Sequence, residues 1–339
     1  MTVEPKEEWA PGSAAFRFRI GTRSDLPHCE KLLPAGFRTS SVIRKQLIQL
    51  WERLVAADAK TFAVIEDLEQ TYPANIEAFG LSVFVTDQFA EEFCASPRPS
   101  LPALVYERML AGEHVILDSQ ELLRANTTTG INIVALHFGM RNEDLADART
   151  AQVLAAGSAA FYFFHGGYCV NWVINEVYGE QAAHYMEAGG FRLVRNFQKE
   201  TPAAFADISP AHYPYLFLLR RDWIEPGAVN PLSMLLSKPA PPRIFFSNTE
   251  RRVLERALLN ESDAQICAGL GVSVDAVKKT WRSIYARVSR QASFLIPASD
   301  LGPSGSRGQE KRRHLLEYLR THLEELRPSS PRPERRHQG

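Results

Sequence analysis

The 339-residue chain is 45% hydrophobic and 23% charged, the balance of an ordinary globular protein with length for about two domains. Its 39 Lys and Arg cancel its 39 Asp and Glu, so the protein as a whole is not a polycation. Four cysteines without CxxC or Cys/His spacing exclude a disulfide framework and a zinc site, and fit a reducing cytoplasm. The polar, acidic opening MTVEPKEEWAPGS is unlike a secretory signal. The most apolar stretch, from Val153 to Ile174, is interrupted by His165, Gly166, Gly167 and Asn171, so no membrane span is expected.

Charge is unevenly placed. Residues 243–339 hold 18 Lys and Arg against 11 Asp and Glu, a net of +7, which leaves a net of −7 for the remainder. A basic end on an acidic body suits a polyanionic partner at that end alone.

Taken in chain order, FRFRI (Phe16 to Ile20) alternates with period two, as a strand does. SDLPHCEKLL opens on Ser24 and Asp25, good helix-capping residues. FAVIED and EAFGLSVFVT read as two strands, and INIVALHFG, apolar throughout, as a central one. There follow a helix over Ala148 to Phe164, a strand CVNWVINEV, a helix GEQAAHYMEAGG closed by two glycines, and strands FRLVRNF and YPYLFLLR. The aromatic run Phe161, Tyr162, Phe163 and Phe164 covers every side of its helix, which predicts deep burial.

That order of elements resembles the GNAT superfamily of N-acetyltransferases. RIGTRSDLPHCEKLL is similar to its opening strand and helix, and GEQAAHYMEAGGFRLV to its late helix–glycine–phenylalanine–strand signature. The resemblance covers about residues 16–224, with an unmatched insertion from Cys94 to Gly130. It implies an α/β (α+β) domain with a central mixed sheet and a place for acyl-CoA.

The chemistry implied by that family departs at two places. Its pyrophosphate loop needs glycines so that backbone N–H groups approach phosphate at a helix N-terminus. Here NEDLADARTAQ (Asn142 to Gln152) has none, and adds Glu143, Asp144 and Asp147, with Arg149 the one opposing charge. The position of the family's thiolate-protonating tyrosine holds Met186, while Tyr185 lies about 100° away around the helix. Asn175 and Glu176 at a strand end form a base-like pair that reads as structural. The expectation is a domain that carries no cofactor and does not transfer acetyl groups, with weak acyl-CoA binding left open. FHGGY lacks a G-x-S-x-G partner for esterase chemistry, and the histidines have no metal-ligand spacing.

Toward the end, residues 246–289 give a second pattern. Ser247 and Glu250 form an S-x-x-E capping box ahead of Val253, Leu254, Ala257 and Leu258. Ser262 or Asp263 caps a short helix bearing Ile266 and Leu270; Gly271 suits a left-handed turn, and Ser273 caps a third helix. Val277, Trp281, Ile284 and Tyr285 recur at helical spacing, which leaves Lys278, Lys279 and Arg282 outside. The stretch resembles the LuxR-type helix-turn-helix along its full length. By that resemblance the three cations would enter a major groove, while Thr249, Arg251, Ser262 and Thr280 would contact phosphates.

The sequence thus predicts a GNAT-like sensor or interaction domain (1–224), a Pro-rich linker (225–243), an all-α LuxR-type DNA-binding domain (244–296) and a linker (297–308). An amphipathic helix (309–327) and a disordered basic tail (328–339) complete it. Leu315, Leu316, Leu319, Leu323 and Leu326 form that helix's stripe, which suits either pairing of two subunits or packing on the chain's own body. The expected function is cytoplasmic transcription regulation on double-stranded DNA, as a homodimer with a small-molecule effector. The competing expectation is an active acetyl-CoA-dependent N-acetyltransferase carried to DNA by the appended domain.

Overall fold

The computed structural model describes residues 16–57, 60–200, 207–224, 231–295 and 306–329. Most of the 297–308 linker and of the basic tail expected over 328–339 lies outside them.

β1 (Phe16–Ile20) passes through a 3-10 turn into α1 (Leu26–Glu30), followed by α2 (Ser41–Ala56), β2 (Lys60–Asp67) and β3 (Ile76–Val85). Three helices come next: α3 (Asp87–Ala95), α4 (Leu101–Leu110) and α5 (Ser119–Thr127). β4 (Ile131–Met140), α6 (Ala148–His165), β5 (Val170–Tyr178), α7 (Glu180–Ala188), β6 (Arg192–Asn196), α8 (Phe197–Glu200) and β7 (Pro214–Arg220) complete the first body. The sheet runs β1-β2-β3-β4-β5-β7-β6. Only β4 and β5 pair in parallel; the other neighbours are antiparallel. This is the mixed α/β architecture that the sequence leads one to expect, with α2 to α5 and α8 additional to the elements it marks.

Alternation along β2 divides the residues between two layers. Phe62 and Val64 face α1, α2 and α4, in a core with Leu47, Trp51, Tyr106 and Phe79. Ala63 and Ile65 face α6, against Ala160, Phe164 and Val153. α7 extends that second layer, where Ala183 packs with Val173 and Phe217.

Three local expectations are corrected. Neither Ser24 nor Asp25 is the N-cap: Thr22 stands there, and Asp25, at N3, completes a capping box by accepting from both the N–H and the hydroxyl of Thr22, at 2.7 Å each. Its burial and its 2.7 Å pair with Arg19 hold it there. The aromatic run of α6 is not buried all round, since Tyr162 is 39% exposed while Phe164 is enclosed. The stretch read as a linker contains α9 (Pro231–Leu236), whose Leu235 and Leu236 are buried against the sheet layer of α7.

Beyond it, α10 (Asn248–Leu258), α11 (Asp263–Leu270), α12 (Val274–Gln291) and α13 (Ser306–Thr321) share a second core. The leucine stripe of α13 and of the 3-10 turn after it lies on Val253, Leu254 and Ile284 of the same chain. Burial of each such leucine contributes roughly 1.5–3 kcal/mol, enough to fix α13 internally. The 3-10 turn Leu323–Leu326 also reaches the first body. A Cβ on Gly167, whose φ is +81°, would collide with the backbone of Leu323 and Glu324.

Candidate functional site

The helical cluster takes its shape from caps that the sequence spells out. Ser247 caps α10, its hydroxyl accepting from Glu250 N–H while the Glu250 carboxylate accepts from Ser247 N–H at 2.7 Å. The same carboxylate accepts from Ser283 Oγ at 2.7 Å and Arg287 Nε at 2.9 Å, tying α12 to the start of α10. Against the opposing effect of burial, these bonds hold Glu250 below the usual carboxylate range. Ser262 caps α11, Gly271 ends it at φ +66°, and Ser273 caps α12. Arg256 bridges Glu261 and the Gly269 carbonyl, bracing the loops at both ends of α11.

On α12, Val277, Trp281, Ile284 and Val288 are buried. Lys278, Lys279 and Arg282 are exposed, and among the described residues no carboxylate pairs with them. Thr249 and Ser262 are also exposed, though Ser262 Oγ already donates to Gln265 at 2.9 Å. Thr280 and Arg251 are committed elsewhere: Thr280 Oγ1 donates to the Ala276 carbonyl at 3.0 Å and Arg251 Nη1 to the Arg327 carbonyl at 3.2 Å. The structure therefore brings Lys278, Lys279 and Arg282 together and sets Arg251 apart from them. Sequence reasoning missed Arg312 of α13, whose guanidinium lies 4.4 Å over the Trp281 ring. The signal was present: Arg312 stands four residues before Leu316, on the stripe side of the helix.

In the sheet, β4 and β5 pair from Ile131/Val170 to Ala135/Asn175 and then part, although both strands continue. The groove that the acetyltransferase resemblance would assign to an acyl-CoA arm begins at this parting. The chain's own segment after α1 lies across one side of it. Gly139 of β4 abuts the Leu32 carbonyl so closely that a Cβ would clash, and a Cβ on Gly36 would come within 2.5 Å of the Tyr178 ring on β5. The Phe37 ring stands edge-on to His137 at 4.7 Å. Behind it runs a buried chain in which Trp51 Nε1 donates to Tyr106 Oη at 2.8 Å, and Tyr106 Oη meets His137 Nε2 at 2.7 Å. Burial pushes His137 down to about 3, so it is neutral.

Glu176 is buried beside this chain. It accepts from Leu101 N–H at 3.2 Å and from Tyr178 Oη at 2.9 Å. Burial nevertheless pushes its carboxyl up to about 7. Its two oxygens are occupied by the start of α4 and by a neighbouring phenol, so the strand-end carboxylate is a fastening. On the other side of the parting, Asn175 Nδ2 approaches Met186 Sδ at 3.6 Å, and Tyr185 Oη bonds Ser158 Oγ at 2.9 Å across α6 and α7. At the N-terminus of α6, the Asp147 carboxylate accepts from Thr150 N–H at 2.9 Å and stands where a ligand phosphate would compete. Arg149 faces away, on Asp67 at 2.6 Å and Glu77 at 3.2 Å.

No grouping of three or more potential metal ligands occurs among the described residues, and no described helix is long and apolar enough to cross a membrane.

No family model matches the chain, and no curated protein matches it. Solved structures give a distant likeness. A variant of SpeG spermidine N-acetyltransferase from Vibrio cholerae is 12% identical, over 60% of this chain and 93% of that one, at a TM-score of 0.34. Arabidopsis thaliana NAA60 with acetyl-CoA is 14% identical over 61% and 99%, also at 0.34. FeeM, an N-acyl amino acid synthase from uncultured soil microbes, is 11% identical over 65% and 96%, again at 0.34. At these values the likeness carries nothing about activity or substrate.

Proposed function

We propose that the chain is a DNA-binding transcription regulator, with a LuxR-type helix-turn-helix over 244–296 and an acetyltransferase-like body serving as a sensor or interaction module. The observation that carries the reading is the outward face of α12. Three cations stand there at i, i+1 and i+4, opposite a buried stripe and behind a short helix and a left-handed glycine. A helix so held can enter a major groove, where Arg and Lys read guanine edges. The net of +7 over 243–339 supports the same end as the polyanion-facing one.

The competing reading, an active N-acetyltransferase, has less to recommend it. The segment from Leu32 to Phe37 lies across the parting of β4 and β5, and Asp147 holds the helix N-terminus that a pyrophosphate would need. Recognition of an effector by the first body, and action as a homodimer on paired half-sites, belong to the proposal. The leucine stripe of α13 is spent within the chain, so a two-fold pair would form through another surface.

The test is selection of duplex DNA from a random-sequence pool by the purified full-length protein. Enrichment of a defined motif supports the reading. A pool that stays random through successive rounds argues against it.

A further inference from the structure

The stripe side of α13 is polar in its first turns, before the leucines begin. Near its start, Gln309 and Arg312 line a groove of about 330 Å³ with Lys278, Trp281 and Arg282 of α12 and with Asp263 of α11. Three cations meet one carboxylate there. Arg312 Nη1 reaches Asp263 Oδ1 at 2.8 Å, and its plane rests on the indole of Trp281. Trp281 is 6% exposed, yet its Nε1 has no hydrogen-bond partner among the described residues. Buried donors are rarely left unpaired. The groove therefore has an excess of positive charge and a planar guanidinium held in place.

We infer that this groove is a phosphate seat for the DNA backbone and that Arg312, from outside the helix-turn-helix, is its clamp. The inference rests on the proposed DNA-binding reading and adds a contact to that site. Asp263 plays two parts in it. In the free protein it holds Arg312 in position over Trp281. In the complex it competes with the phosphate for the same guanidinium, so its carboxylate opposes binding. The seat recognises phosphate and not base identity, because Arg312 lies beside the helix that would read the groove. It fixes register and adds affinity on every duplex alike.

The experiment measures affinity of the full chain for the duplex selected by the wild type and for an unrelated duplex, each over a range of salt. Arg312→Gln is expected to weaken both complexes roughly tenfold near 0.1 M salt and to make the slope of log K against log salt shallower by about 0.9, the loss of one phosphate contact. Asp263→Asn is expected to act in the opposite direction and tighten both. Arg312→Lys, which keeps the charge, is expected to keep the slope. An unchanged affinity and slope in Arg312→Gln would overturn the inference while leaving the DNA-binding reading intact. Weakening by Asp263→Asn, or a slope in Arg312→Lys as shallow as in the Gln variant, would make the contact a structural brace and equally overturn it. If the wild-type chain itself shows no salt-dependent binding to duplex DNA, both readings fall together.

Discussion

Arg327 Nε donates to the carbonyl of Gly166 at 2.8 Å, which joins the last described turn of the chain to the end of α6. The same guanidinium donates to the Phe163 carbonyl, pairs with Glu255 of α10 at 3.1 Å and lies 4.8 Å over the Tyr168 ring. It is 3% exposed. One side chain thus serves the sheet body and the helical cluster together. Next to it, Glu325 accepts from the N–H groups of Arg243 and Ile244, at 3.0 and 2.9 Å, and so anchors the entry to the cluster.

Arg327→Met keeps the aliphatic bulk and removes the donors. It leaves two carbonyls and a three-quarters-buried carboxylate without this partner. The expected loss is about 2–4 kcal/mol, concentrated at the seam. Thermal unfolding should separate into two transitions, and limited proteolysis should release the 244–329 portion sooner than in the wild type. A single transition with an unshifted midpoint would show that the seam is held by apolar packing alone.

Tyr106→Phe removes one oxygen from the chain that links Trp51 and His137. The indole N–H and an imidazole nitrogen are then both left without a partner in a dry core. Each such group costs roughly 1–3 kcal/mol, so a loss of about 2–5 kcal/mol is expected in denaturant unfolding, with an unchanged m-value. Tyr106→Phe at wild-type stability would mean that water or a rearranged rotamer restores the bonds.

Glu176 gives a pH dependence whose sign is fixed by its raised folded-state pKa. With the carboxyl near 7 in the folded protein and 4.5 as the ordinary value, the folded state binds the extra proton between them. Its contribution is fully present below about 4.5 and is lost as pH rises through 7, a change on the order of 3 kcal/mol. Glu176→Gln should flatten the thermal-midpoint profile across that interval and be relatively more stable at pH 8. Parallel profiles for the two proteins would contradict it.

Much of this was legible in the sequence where local chemistry and burial agree. The segments read as strands became β1 to β7, and the capping residues Ser247, Ser262 and Ser273 start their helices as read. What escaped depends on distant partners. α2 carries a clear stripe of Ile43, Leu47, Leu50 and Leu54 and stands between the first two strands in addition to the elements the sequence marks. Spacing suggests Asp25 as an N-cap, whereas it stands at N3, completing a capping box with Thr22 and pairing with Arg19. The prolines around α9 masked two leucines that close the layer of α7. The passage of Leu32 to Phe37 across one side of the β4–β5 parting could not be foreseen, because nothing local marks a loop that crosses a sheet. Arg312 and Arg327 belong to the basic end; helical spacing sets Arg312 on the stripe side, while only its contacts single out Arg327.

The first body is expected not to turn over acetyl-CoA. Calorimetry of the full chain with acetyl-CoA should give no micromolar binding, and mixed primary amines should release no thiol. Micromolar affinity with steady thiol release would promote the enzyme reading.

The proposed role in transcription stands or falls on the outward face of α12. Its most direct test is fluorescence anisotropy of the full chain on its selected duplex, comparing wild type with Lys278→Ala and Arg282→Ala across salt concentrations. The wild type is expected to show a steep salt dependence. Each variant is expected to lose ~1–3 kcal/mol, with relaxed preference at one base position. Binding that is indifferent to salt and to both substitutions would contradict the proposed role.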